Sequence, residues 1–157
     1  MSQVITINKS QLIGVKTFVF TIFNQEKYDA KAIPGAWQEF FSRAAGTDLL
    51  KTEFFYGASI PNMSMDAPME YFAGVLVDEN AEVPSGFEVV DIPAGNYLSH
   101  LHTGPISNIA TSYQKAYMET LPNSGNQMRP APHLEIYVSD KDPMAEDYQM
   151  EIGIPID

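Results

Sequence analysis

The chain has 157 residues, 45% of them hydrophobic and 18% charged, a composition that excludes a disordered segment and fits a folded globular protein. Twenty acidic residues outnumber nine basic ones to give a formal net charge of −11, which disfavours direct binding to a phosphate backbone. The absence of cysteine excludes disulfides and thiolate metal sites.

The first half of the chain predicts the order strand, helix, strand, strand. Residues 11–23 are rich in Val, Ile, Phe and Thr, which favour a strand. Pro34 is suited to the first turn of a helix, and apolar residues at three-to-four spacing follow until Gly46. Two more strands are predicted over residues 51–59 and 69–77.

The second half repeats that order after a short connecting strand over residues 87–92. A strand is predicted over residues 96–102, and Pro105 begins a helix that carries Tyr113 and Tyr117. A loop rich in Pro, Asn and Gly covers residues 122–132. Two final strands are expected over residues 133–139 and 148–156.

The two halves also resemble each other residue by residue. IPGAWQEFF at 33–41 matches IATSYQKAY at 109–117, and AGVLVD at 73–78 matches IGIPID at 152–157. We therefore expect a single domain over residues 1–157, built from pseudo-repeats at about 12–78 and 94–157. The predicted fold is α+β, an antiparallel sheet with two helices and a ligand cleft on the pseudo-twofold axis.

Five short segments resemble the GyrI-like family. They are AGNYLSHLHTGP at 94–105, the tyrosine-bearing helix after it, HLEIYVSDKDP at 133–143, and PGAWQEFF and YFAGVLVD in the first half. That family includes the effector-binding domains of AraC- and MerR-type multidrug regulators and the stand-alone gyrase-inhibitory proteins. The resemblance implies two strand-helix-strand-strand units around a cleft that binds small molecules, often hydrophobic cations. It also implies an acidic pocket residue at Glu135.

Only about ten residues precede the first predicted strand, so we expect no DNA-binding helix-turn-helix domain in this chain. The resemblance then favours a free-standing binding protein over direct transcriptional control. The chain shows neither a secretory signal nor an apolar run of about 18 residues that could span a bilayer, so a cytoplasmic location is predicted.

Glu135 is the sharpest candidate from the residues themselves. It interrupts an apolar run, and strand alternation puts it on the same face as His133 and Tyr137. A carboxylate that lines a cleft is partly desolvated, so a cation is favoured there as its partner. The alternative is an ordinary solvent-facing glutamate on a half-exposed sheet.

Aromatic residues are the second candidate feature, because cations and flat dye-like ligands bind well on aromatic walls. The alternative is that these rings fill the core. The candidate wall residues are Trp37, Tyr56, Tyr71, Phe72, Tyr97, Tyr113, Tyr117 and Tyr137. Met63, Met65 and Met69 around a Pro-rich loop suit either a flexible lid or a loosely packed surface.

Metal and cofactor sites are not predicted. His100 and His102 have the spacing of a metal pair, but no third ligand is nearby, and a structural hydrogen bond by His102 at the turn into the second helix is favoured. No nucleophile elbow or glycine-rich phosphate loop is present.

Three functions remain open at this point. The first is a stand-alone module that binds small hydrophobic or cationic organic compounds, with Glu135 as counter-charge. The second is interaction with a protein such as DNA gyrase or a separate regulator, through the acidic surface. The third is a hydrolase in which Glu135 acts with Tyr137.

Overall fold

In the computed structural model, residues 2–61 and 66–157 are described, and Met63 and Met65 lie outside them. Eight strands form one antiparallel sheet. Their bounds are β1 Ser2–Ile7, β2 Ser10–Val19, β3 Phe54–Ile60, β4 Met69–Asp78, β5 Glu88–Ile92, β6 Gly95–Thr103, β7 His133–Val138 and β8 Gln149–Ile156. The predicted α+β class, an antiparallel sheet with two helices, is confirmed.

Two helical segments connect the strands. Helix α1 spans Ala32–Ala44, and a short 3-10 turn follows at Asp48–Leu50. The second helical segment, residues 106–124, begins with a 3-10 turn and continues as α2 at Ile109–Lys115, a π-helical turn at Ala116–Thr120 and α3 at Leu121–Ser124.

The order of strands in the sheet requires that it curls. The order is β1-β6-β8-β7-β3-β4-β2-β5, yet residues 8–9 alone join β1 to β2 and residues 93–94 alone join β5 to β6. In a flat sheet β1 and β2 would lie six strand spacings apart, about 29 Å. Three Cα–Cα steps span at most about 11 Å. The two ends of the sheet are therefore close together, as in a half-barrel.

The same order places the two halves symmetrically about the central β3–β7 pair. The first half contributes β3-β4-β2 and the second contributes β7-β8-β6. Each outer strand belongs to the opposite half, because β1 pairs with β6 and β5 pairs with β2. Such an order is what a duplicated strand-strand-helix-strand-strand unit would produce, and the duplication itself stays a prediction.

Strand β1 is a feature that the sequence analysis did not predict. Its partner β6 lies 88 to 98 positions away in the sequence, with Ser2 opposite His100 and Ile7 opposite Gly95. Most of its residues are exposed, and only Ile5 and Ile7 are half-buried. The six-residue segment SQVITI alternates only over its last three residues, which is too short to predict a strand without the partner.

Several predicted boundaries were wrong; one of them is the strand predicted from residue 51, which begins at Phe54. Strand β2 ends at Val19 rather than at residue 23, because its partner β4 begins at Met69, opposite Val19. The second helical segment passes Pro122, where a loop was predicted, and ends at Ser124 before Gly125 in the left-handed region (φ 75°). Pro122 lacks the N–H that an α-helix would use, and the π-helical turn before it changes the hydrogen-bond register there.

Three apolar clusters hold these layers together. One lies under α1 and includes Phe40, Phe55 and Tyr71, and a second lies under the second helical segment around Met150 and Ile152. The third lies on the sheet face away from the helices and joins residues from both halves. Its buried members are Leu12, Ala58, Phe72, Ile92, Tyr97 and Leu134. Because each helical segment has its own cluster, a gap is left between them above the β3–β7 pair.

Strands β2 and β4 approach most closely at a pair of glycines. Gly14 lies opposite Gly74 in the ladder. A Cβ atom on Gly74 would lie 2.0 Å from the Ile13 carbonyl oxygen, and one on Gly14 would lie 1.9 Å from that of Ala73. Both contacts are with backbone atoms, which cannot rotate away.

We therefore expect Gly74→Ala to reduce the free energy of unfolding by at least about 2 kcal/mol, since the strands must separate locally. Urea unfolding of the variant and the wild type measures the difference. Gly35→Ala is the control, because open space surrounds that position in α1 and alanine should stabilise the helix by about 0.5–1 kcal/mol. Equal stability of Gly74→Ala and wild type would contradict the tight approach.

Candidate functional site

A cavity of about 550 Å³ lies in the gap between the two helical segments, above the central strands. Its floor comes from β7, one side from the second helical segment, and the other from the segment 20–31 and the start of α1. Most of its lining is apolar or aromatic. The residues used below are His133, Glu135 and Tyr137 of β7, Tyr113 and Tyr117 of the second helical segment, and Phe20, Phe23 and Tyr28.

Glu135 lies at the floor of this cavity and is only 4% exposed. Its carboxylate accepts three hydrogen bonds from tyrosines on three different elements. Tyr71 of β4 donates to Oε1 at 2.6 Å, Tyr137 of β7 donates to Oε1 at 2.7 Å, and Tyr113 of α2 donates to Oε2. The carboxylate therefore ties the sheet to the second helical segment.

These tyrosines remain donors over a wide pH range. Burial raises the pKa of Tyr71, Tyr113 and Tyr137 well above the usual value of a phenol, and the negative charge of Glu135 raises it further. Each hydroxyl consequently keeps its proton and needs an acceptor. The carboxylate supplies that acceptor for all three.

Gly57 makes the arrangement possible. It lies directly opposite Glu135 in the β3–β7 ladder. A Cβ atom at this position would lie 2.3 Å from the Tyr71 hydroxyl oxygen and 2.6 Å from Glu135 Oε1. The hydrogen bond between Tyr71 and Glu135 thus occupies the space that any other side chain would take.

Trp37 of α1 completes the network from behind. Its indole Nε1–H donates to the Tyr71 hydroxyl at 2.9 Å, and its ring makes an edge contact with Tyr137 at 5.3 Å between centroids. A change at Glu135 can therefore reach Trp37 through a single intervening hydroxyl.

No cationic side chain pairs with Glu135 in the described part of the chain. The ion pairs found there join Lys9 to Glu79, Lys16 to Glu70, Arg43 to Glu39 and Lys51 to Asp48. Among the described residues that line the cavity, none is Lys or Arg. Lys27 lies 5.5 Å from the ring centroid of Phe20, and its ammonium group donates to the backbone oxygen of Asp66 rather than to Glu135.

One side of the cavity is a stack of three rings. Tyr113 stacks on Tyr117 at 6.2 Å between centroids, and Tyr117 stacks on His133 at 5.7 Å. Phe23 also makes an edge contact with Tyr117, at 6.1 Å between ring centroids. The Tyr117 hydroxyl also hydrogen-bonds to Nδ1 of His133. Burial lowers the pKa of His133 to about 4, so its ring is neutral at pH 7.

The predicted site residues fall into three groups. Glu135, Tyr113, Tyr117 and Tyr137 border the cavity, whereas Trp37 and Tyr71 lie behind Glu135 and contact its hydrogen-bond network. Three residues lie elsewhere, on the sheet face away from the helices: Tyr56, Phe72 and Tyr97 belong to the third apolar cluster. The prediction that they line the cleft needs this correction. Neighbouring strand residues point to opposite faces, so Phe72 is directed away from the cavity while Tyr71 is directed toward Glu135.

Several site residues were not predicted. Phe20 and Phe23 were predicted as part of a strand, but they lie beyond its end and line the cavity. Gly57 could be identified only from the register that pairs β3 with β7. Tyr28 carries no local signal that distinguishes it from a surface tyrosine.

The paired histidines of β6 have structural roles. His102 hydrogen-bonds through Nδ1 to the Ser112 hydroxyl at 2.6 Å, and its Nε2 lies 3.0 Å from the carbonyl of Gly104. This confirms the predicted hydrogen bond at the turn into the second helical segment. Within the described ranges, no three His, Cys, Asp or Glu residues cluster as metal ligands would. No helix among those residues has the length and apolar character needed to cross a membrane.

Comparison with known proteins gives the same fold. A family model described as the GyrI-like small molecule binding domain matches residues 2–157. The transcriptional regulator BrlR of Pseudomonas aeruginosa is 28% identical over 124 residues, which cover 76% of this chain and 44% of BrlR. The chain thus spans less than half the length of that relative.

Two solved structures are similar over nearly their whole length. A structure of SAV2435 bound to tetraphenylphosphonium has a TM-score of 0.77 at 21% identity, with 100% of this chain and 94% of that one covered. The C-terminal domain of EcmrR has a TM-score of 0.65 at 16% identity, with 100% and 97% covered.

We expect Gly57→Ala to disrupt the Tyr71–Glu135 hydrogen bond, because the added methyl group would occupy the space of both atoms. Trp37 fluorescence should then change, since the Tyr71 hydroxyl accepts its indole N–H. The expected loss of stability is about 1–3 kcal/mol. Tyr71→Phe, which removes the hydroxyl and keeps the ring, should change the fluorescence in the same way. An unchanged emission spectrum in both variants would contradict the network.

The neutral, buried His133 should also make stability depend on pH. Because its pKa is about 6.5 unfolded and about 4 folded, the unfolded state binds more protons between these values. Stability is then fully present above pH 6.5 and is lost as the pH falls toward 4, by at most about 3 kcal/mol. Urea unfolding at both pH values should show a smaller loss for His133→Gln, which can still accept the Tyr117 hydrogen bond. Identical losses would contradict a depressed pKa at His133.

Proposed function

Because the chain belongs to the GyrI-like family of small-molecule-binding domains, we propose that it binds amphipathic organic cations in the cavity above β7. Glu135 acts as the counter-charge and the aromatic rings form the walls. The observation that carries this proposal is the state of Glu135: it is 4% exposed, borders the cavity, and has no cationic partner among the described residues.

The chemistry of the carboxylate favours a cation over a neutral guest. A buried carboxylate without a charge partner is costly, and three hydroxyl donors offset only part of the lost hydration. Oε1 accepts two of these bonds and Oε2 accepts one, so one side of Oε2 remains open to a ligand. A cation placed there gains electrostatic energy in a site with a low local dielectric.

The walls favour a cation whose charge is spread over an apolar body. Such a cation loses little hydration on entry, and contact with an aromatic face contributes about 0.5–2 kcal/mol. Tyr113, Tyr117 and Phe23 supply these faces. The volume of about 550 Å³ fits a drug-sized compound. The tetraphenylphosphonium bound to SAV2435 belongs to this chemical class, which supports its use as a first probe.

The biological use of binding is proposed as sensing or sequestration by a cytoplasmic module. BrlR is a transcriptional regulator, which supports a role connected to regulation through a further protein. An interaction with gyrase is supported only by the acidic surface of the chain, and by no particular contact. Hydrolysis by Glu135 has one supporting contact, the 2.7 Å hydrogen bond from Tyr137. Three tyrosine hydroxyls already occupy hydrogen-bonding positions on the carboxylate, so binding is the function that we favour.

The test compares a cation with a neutral compound of similar shape. Tetraphenylphosphonium and triphenylphosphine oxide are titrated into wild type, Glu135→Gln and Glu119→Gln, with heat and Trp37 fluorescence as readouts. We expect Glu135→Gln to weaken cation binding about 10-fold, or about 1.4 kcal/mol, and to leave the neutral compound unaffected.

Glu119→Gln is the matched control, because it removes the same formal charge from an exposed position on the second helical segment. Its effect should be small, since exposed charges are screened by salt. Equal losses in the two variants would mean that net charge rather than the buried carboxylate attracts the ligand. Equal affinity of wild type and Glu135→Gln for the cation would refute the proposal.

A further inference from the structure

His133 is a polar group of the cavity that the cation-binding role of Glu135 leaves unused. It lies two residues before Glu135 on β7, on the same face, and borders the same cavity. Its ring is held in place by the stack on Tyr117, with 18° between the ring planes, and by the hydrogen bond at Nδ1. The orientation of the imidazole is thus set before any ligand arrives.

The hydrogen bond at Nδ1 determines where the imidazole carries its proton. Burial raises the pKa of the Tyr117 hydroxyl, so that hydroxyl keeps its proton. Nδ1 of His133 is its hydrogen-bond partner in the described structure, and we take the hydroxyl as the donor and Nδ1 as the acceptor. A neutral imidazole with Nδ1 as acceptor has its single N–H at Nε2.

The Nε2 atom is open to the cavity. No described residue hydrogen-bonds to it, and the one buried side-chain polar atom without a partner in the described residues is Oε1 of Gln11. Nε2 is therefore at least partly accessible rather than fully buried. Because the ring borders the cavity, its free N–H is available to a molecule bound there.

We propose that His133 is a second anchoring point, which selects organic cations that also carry a hydrogen-bond acceptor oxygen about 7 Å from the cationic centre. The spacing is taken from the Cα atoms of residues i and i+2 on one face of a strand, which lie about 7 Å apart. A carbonyl or ether oxygen accepts from Nε2 while the cation pairs with Glu135. This inference rests on the proposed function, which assigns the cation to Glu135.

An acceptor oxygen on the ligand changes the free energy of binding for a physical reason. A cation without an acceptor leaves the Nε2–H without a partner once the ligand has displaced water from the cavity. A ligand with a suitably placed oxygen replaces that water directly. The site then discriminates between two cations of equal charge and nearly equal size.

The tautomer is tested first, without any ligand. Nitrogen-15 NMR of the imidazoles separates Nδ1–H from Nε2–H, and the chain has three histidines, so His133→Phe assigns the signal. We expect a neutral ring protonated at Nε2 at pH 7. A proton on Nδ1 would overturn the inference and leave the role of Glu135 untouched.

Binding is tested with two matched triphenylphosphonium ions. One carries a 3-benzoylpropyl chain, and the other a 4-phenylbutyl chain in which a methylene replaces the carbonyl. We expect wild type to prefer the ketone about 10-fold, as one hydrogen bond allows. His133→Phe keeps an aromatic ring and should lose the preference for the ketone. Tyr117→Phe keeps the imidazole but removes the hydroxyl that fixes its tautomer. It should therefore reduce the preference for the ketone.

The outcomes separate this inference from the proposed function. Equal binding of both cations to wild type overturns the role of His133 alone. A preference that survives in His133→Phe does the same. Failure of wild type to bind either cation overturns both proposals.

Discussion

One carboxylate organises the centre of this molecule. Glu135 accepts hydrogen bonds from tyrosines on β4, β7 and α2, and the indole N–H of Trp37 on α1 donates to one of these tyrosines. A buried carboxylate that loses its hydration must recover hydrogen bonds from its surroundings. Both halves of the chain contribute to that recovery, so the position of the two helical segments over the sheet depends on it.

The fold leaves space for this carboxylate because the region between the two helical segments is not filled by side chains. Each helical segment packs on its own half of the sheet, and the central β3–β7 pair lies between the two clusters. At the point where a side chain on β3 would fill the gap, Gly57 has none. The missing side chain at Gly57 therefore makes room for the Tyr71–Glu135 hydrogen bond and for the buried carboxylate at the floor of the cavity.

The sequence was sufficient for the parts that depend on local pattern. Period-two alternation predicted that His133, Glu135 and Tyr137 share a face, and three-to-four spacing predicted α1 and the tyrosine-bearing helix. It failed where the answer depends on distant partners. Strand β4 is apolar on both faces, so nothing local distinguishes Tyr71, beside Glu135, from Phe72 on the opposite side. The partner of β1 is equally hard to predict, because it comes 88 to 98 positions later.

The exchange of the outer strands has a consequence for how the chain reaches this structure. Neither half can complete its part of the sheet alone, because β1 is an edge for the second half and β5 is an edge for the first. A half formed early, as during synthesis, would expose a strand edge that is open to pairing with other molecules. Since these contacts are distant in sequence, their formation is slow compared with that of either helix. Folding of the two halves is therefore coupled, and the cavity between them exists only once both are in place.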